Sequence, residues 1–232
     1  MYKFLTIASI FFSLIHVSNA SDLIQLNKNT FDELQAIEFE SVDTGYAEFL
    51  SKDLEIFTSN DENFIIGIYQ SKVGSEIIDE PYPYNEYMYI LEGEVLTKTV
   101  DGHNHIYRVG ESFMIPKGWM GDFAITKDLR IIYAVDGINE TENVDANYIV
   151  KINDARVFQY ELGDFEEYSP GESDLTARDL TFFSNKNETF QIGLWESSAG
   201  SVSGSETFHE FMYPLKGSII LTNKNGEQLI TN

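Results

Sequence analysis

Apolar and polar residues alternate along this chain in short runs rich in Tyr, Ile, Val and Thr. Gly, Asn, Asp and Pro separate these runs at intervals of about 8–12 residues, which predicts an all-β fold of sandwich or barrel type. Asp101-Gly102 and Asn225-Gly226 are the dipeptides favoured in tight hairpin turns, because both central residues of such a turn adopt positive φ. Helical patterning is confined to the start of the chain. There Thr30-Phe-Asp-Glu33 has the form of a capping box and predicts one short helical turn.

The pattern repeats. Phe64-Ile-Ile-Gly67-Ile-Tyr69 through Gly74 aligns with Phe190-Gln-Ile-Gly193-Leu-Trp195 through Gly200 at a constant offset of 126. After a two-residue deletion, Glu86-Tyr-Met-Tyr-Ile-Leu91-Glu-Gly93 aligns with Glu210-Phe-Met-Tyr-Pro-Leu215-Lys-Gly217, and Asp101-Gly102 with Asn225-Gly226, at an offset of 124. Apolar, aromatic, glycine and turn positions agree in order, the signature of a tandem duplication. The expected organisation is a first domain over 21–135 with an N-terminal extension, an acidic linker over 136–154, and a second domain over 155–232. The counterparts of the last strands of copy one fall beyond Asn232, so the second barrel is expected to be incomplete.

Composition narrows the function classes. The 232 residues carry 15 Lys+Arg against 38 Asp+Glu, a formal net charge of −23, which repels phosphate backbones and excludes a nucleic-acid partner. The absence of Cys removes disulfides, zinc ribbons and thiol nucleophiles. There is no P-loop and no GxGxxG, and Gly200-Ser-Val-Ser-Gly204 misses the serine nucleophile elbow because position 202 is Val. At the N-terminus, Lys3 precedes the mostly apolar stretch Phe4–Val17, and Ser18-Asn19-Ala20 supplies the small residues of a cleavage site. This is the pattern of a signal peptide over 1–20 cut near Ala20, and it predicts a secreted or periplasmic protein without a membrane anchor.

The glycine and proline skeleton resembles that of the two-domain cupins (bicupins), specifically the (S)-ureidoglycine aminohydrolase-like group. The spacing of the first cupin motif is met by Gly74, Glu80, Tyr82, Glu86 and Gly93. The spacing of the second is met by Gly110, Pro116 and Gly118, with Gly121 at its histidine position. The resemblance implies tandem jelly-roll β-barrels. It also implies that a metal, where one is bound, sits on positions 80, 82, 86 and 121, here Glu, Tyr, Glu and Gly. Glu80 and Glu86 are then the candidate ligands of the first barrel, fitting Mn or another divalent cation. In copy two, Glu206 falls at the second histidine position and Glu210 at the glutamate position.

Positions 80, 82 and 86 share strand parity, so all three side chains are expected to point into one barrel. Tyr82, Tyr84 and Trp119 gather aromatic surface around this strand and are read as core packing or as the walls of a ligand pocket. His103 and His105 sit beside a hairpin tip, and His209 shares a strand with Glu210 but points the other way. The expected function is therefore an exported small-molecule-binding cupin with a non-standard or lost metal site in its first barrel. Two alternatives stay open: a divalent-metal-dependent hydrolase acting on a C–N bond, and a non-catalytic structural cupin that forms homo-oligomers.

Overall fold

The computed structural model describes residues 23–43, 48–140, 146–168, 172–204 and 208–231. The predicted signal segment and Glu206 lie outside the described residues. Helix α1 spans Lys28–Ala36, and its capping box lies three residues earlier than the sequence suggests. Asn27 is the N-cap: its side chain accepts from the Asn29 N–H (2.8 Å), and its own N–H donates to Thr30 Oγ1 (3.2 Å). An Asn side chain competes well for the first unpaired amides of a helix, and so it displaces Thr30 from the cap position. Leu34 is fully buried. At the other end the buried Lys52 ammonium donates to the carbonyls of Gln35 and Ile37, which satisfies the unpaired acceptors of the last turn.

Nine antiparallel strands follow: β1 (Glu40–Asp43), β2 (Glu48–Thr58), β3 (Phe64–Ser71), β4 (Gly74–Ile78), β5 (Asn85–Thr99), β6 (Asn104–Arg108), β7 (Ser112–Ile115), β8 (Gly121–Asp136) and β9 (Val150–Ile152). Their order is β1-β2-β3-β8-β5-β7-β9, with β4 also on β8 and β6 also on β5. The two longest strands, β5 and β8, pair along their whole lengths, but register shifts break the ladder between Ile90 and Val95. Such bulges bend a strand and let one ladder serve two layers. Gly93 sits at this bend with φ +94°, and a Cβ there would lie 2.3 Å from the Asp128 carbonyl oxygen. The resulting jelly roll encloses one core that includes Met88, Ile90, Val95, Tyr107, Phe113, Phe123 and Ile131. The stretch expected as an acidic linker is in part structural: Asp136 ends β8, Asn139 bonds back to Asp61 and Asn63, and β9 pairs with β7.

Contacts divide the chain into two units, the first running to Asp154 and including the segment from Pro214, the second formed by Ala155–Tyr213. The second unit holds β10 (Glu166–Glu167), β11 (Glu172–Ser173), β12 (Thr176–Ser184), β13 (Gln191–Ser197) and β14 (Val202–Ser203). Its sheets are β10-β12-β13 and β11-β14. A separate hairpin, β15 (Ile219–Thr222) and β16 (Gln228–Thr231), follows.

The sequence repeat recurs as register. In the first unit β2 and β3 pair from Ser51↔Ser71 to Thr58↔Ile65, with a bulge between Glu55 and Phe57. In the second, β12 and β13 pair from Ala177↔Ser197 to Ser184↔Gln191, with a bulge between Thr181 and Phe183. Every one of these positions is displaced by 126. The turns match as well: Glu62 and Glu188 have φ of 56° and 57°. Ser59 Oγ accepts from the Asn63 and Phe64 amides, as Asn185 Oδ1 does from those of Thr189 and Phe190. What differs is covering. Tyr69 on β3, which pairs with β8 as well as β2, is 3% exposed, whereas its counterpart Trp195 is 47% exposed, and β13 has no second neighbour among the described residues. No described helix is long and apolar enough to cross a membrane.

Candidate functional site

Alternation along β5 sends Glu86 and Met88 into the core and Tyr87 and Tyr89 to the opposite face. It does not extend back to Glu80. The segment Glu80-Pro81-Tyr82-Pro83-Tyr84 is outside any strand, because each proline lacks a ladder donor and holds φ fixed. Glu80 is exposed as a result, and the expectation that it shares a barrel with Tyr82 and Glu86 is corrected. Tyr82 is held instead by the loop after β7: its N–H donates to the Trp119 carbonyl (2.9 Å), and its carbonyl accepts from the Gly118 N–H (2.7 Å). This places the Tyr82 hydroxyl on Glu86 Oε2, to which it donates a hydrogen bond deep in the core. Tyr84 stands edge-on to Tyr82, ring centroids 5.0 Å apart.

Three carboxyl groups lie in this interior. Glu86 is 2% exposed; burial pushes its carboxyl up to about 8, the Tyr82 bond offsets part of the shift, and Asp53 and Glu76 add to it. Asp53 on β2 is also raised by burial, to about 7, while Tyr133 on β8 donates to its Oδ2 at 3.0 Å. Its Oδ1 has no partner among the described residues. Glu76 on β4 is raised to about 7 by burial. Tyr82, Tyr84 and Tyr133 are pushed well above the ordinary phenol range, first by burial and then by these carboxylates. Near neutral pH the Glu86 carboxyl thus mostly keeps its proton, whereas Glu76 and Asp53 stand close to half-ionised. Sequence reasoning missed Asp53, Glu76 and Tyr133: Asp53 and Tyr133 lie outside both motifs, and Glu76 falls at an unspecified position of the first, between Gly74 and Glu80.

A cavity of about 10 Å³ reaches this interior beside β4, bordered by Phe49, Tyr69, Ser75, Glu76, Met88 and Phe123. A volume of that order accommodates a single water-sized group. Of the two readings open for Tyr82, Tyr84 and Trp119, core packing or pocket walls, the structure places all three in the core, and none borders this cavity. In copy two, Glu210 is exposed.

Residues 58–133 match the family model of the EutQ-like cupin domain. A structure of a protein of unknown function of the DUF861 family, from Pseudomonas syringae, is similar at 20% identity over 77% of this chain and 73% of that one, with a TM-score of 0.63. The matched part of the first unit is a cupin domain. The EutQ protein of Clostridium difficile is 22% identical over 46% of this chain and 86% of its own, with a TM-score of 0.38. The comparison with curated proteins finds no match.

The cupin metal positions do not fit a metal here. Glu80 is in solvent, the hydroxyl of Tyr82 occupies the Glu86 carboxylate, and Gly121 carries no side chain. A Cβ on Gly121 would lie 2.3 Å from the Lys98 carbonyl oxygen and 2.6 Å from Trp119 Cζ2, so the Trp119 indole fills the space a ligand would need. Among the described residues no three His, Cys, Asp or Glu side chains are grouped to hold an ion.

Proposed function

We propose that this chain is an exported, two-domain cupin whose first barrel binds a small molecule without a metal. The Tyr82–Glu86 hydrogen bond carries this reading, because it satisfies with a phenol the carboxylate that a metal cupin offers to its ion. The recurrence of register, bulge and turn at the offset of 126 supports the two-domain organisation. So does a fold likeness extending over 77% of the chain. The signal-like pattern over 1–20 supports export, and membership of the ureidoglycine aminohydrolase-like group rests on the spacing of the two motifs.

The test is metal content by plasma mass spectrometry on the full chain lacking its first 20 residues, followed by thermal-shift screening of sugars and nitrogenous metabolites. The expected result is metal at background and a ligand that raises Tm. Manganese, iron or zinc near one equivalent per chain, lost in Glu86→Ala, would overturn the reading and favour a metal-dependent hydrolase.

A further inference from the structure

Glu76 is 8% exposed and borders the interior cavity, yet it has neither a hydrogen-bond nor an ion-pair partner among the described residues. Its oxygens are not among the fully enclosed unpaired polar atoms, so the carboxyl can be reached from outside the core. Glu86 and Asp53 each accept a hydrogen bond from a phenol, whereas Glu76 has none among the described residues. No Lys or Arg borders the cavity; its other walls include the rings of Phe49, Tyr69 and Phe123. A carboxylate among aromatic rings is the arrangement that receives a cation, through an ion pair at one end and the π faces around it. The cavity volume is that of one small polar group, matching a primary ammonium and too small for a quaternary one. The net charge of −23 would also concentrate cations near the mouth.

We propose that the first cupin barrel binds the primary ammonium group of a small organic amine, with Glu76 as its counter-ion and Phe49, Tyr69 and Phe123 around it. This deepens the small-molecule reading above and rests on it. The ammonium head enters beside β4, and the remainder of the ligand lies toward Ser75 and Ile77, which are exposed.

Methylammonium is the probe, titrated calorimetrically into the full chain lacking its first 20 residues, with methanol as the neutral comparison and tetramethylammonium as the oversized one. Saturable binding of methylammonium is expected, with at least about tenfold weaker binding of the other two, as fits a charge-assisted bond in a tight site. Glu76→Gln should weaken methylammonium by about tenfold or more while leaving near-ultraviolet dichroism intact. Should that variant fail to fold, Phe123→Leu keeps an apolar wall but removes a ring, and should weaken methylammonium severalfold without changing the weak response to methanol. Methanol binding as well as methylammonium, or undiminished binding in Glu76→Gln, would overturn the proposal. A metal-free chain that binds a neutral metabolite but not methylammonium overturns this inference alone, whereas stoichiometric metal overturns the reading beneath it.

Discussion

At the residue scale the site turns on one exchange, a phenol in place of a metal on Glu86. Tyr82→Phe removes the hydrogen bond that offsets burial of this carboxyl, the one side-chain bond it has among the described residues. The variant should lose about 1–3 kcal/mol in urea unfolding, the usual cost of stranding a buried polar group. An unchanged midpoint would show that the bond contributes nothing. The motif spacing made Tyr82 and Glu86 legible, since glycines and prolines fix where these positions fall. Glu80 was misread because strand parity was extended through Pro81 and Pro83, which interrupt the strand. Glu76 and Asp53 were illegible for a different reason. On β4 the apolar Ile77 faces out and the acid Glu76 faces in, the reverse of the pattern that a half-buried strand leads one to expect. On β2 both faces are partly covered, so no alternation singles out Asp53.

At the scale of elements, the duplication was readable because turns and bulges demand particular residues, whereas the covering of each copy was not. Local chemistry sets a register, but burial depends on distant partners such as β8, which sequence periodicity does not locate. The glycine shared by both copies illustrates this. A Cβ on Gly67 would lie 2.3 Å from the Tyr133 hydroxyl oxygen, so the bare β3 backbone is what lets the Tyr133 ring lie across it and reach Asp53. Gly193, its counterpart, instead sits 2.9 Å (as a built Cβ) from the Leu180 carbonyl oxygen on the neighbouring strand. Gly67→Ala should therefore cost about 1–3 kcal/mol by overpacking and withdraw Tyr133 from Asp53. Urea unfolding combined with an ultraviolet titration of the tyrosines checks both effects. A neutral substitution would mean that the ring moves aside without cost.

At the scale of the whole molecule, two sources of pH dependence act in the same direction and can be separated. Glu86, Glu76 and Asp53 have folded pKa values of about 8, about 7 and about 7, against ordinary values of 4.5, 4.5 and 3.8. Between those limits the unfolded chain has released protons that the folded chain still holds. The stability these groups contribute is thus fully present below the ordinary carboxylate range and is lost as pH rises through about 7–8. A chain of net charge −23 also repels itself more as its remaining acids ionise. Tm is accordingly expected to fall between about pH 5 and about pH 8.5. Surface repulsion acts through solvent and is screened once the Debye length shortens to about 10 Å near 0.1 M salt, whereas the buried carboxyls are shielded much less. The slope that survives added salt should therefore belong to the interior, and Glu86→Gln, which keeps the shape and removes the titration, should flatten it. Parallel curves for wild type and Glu86→Gln in high salt would place the pH dependence on the surface and show that Glu86 does not hold its proton in the folded barrel.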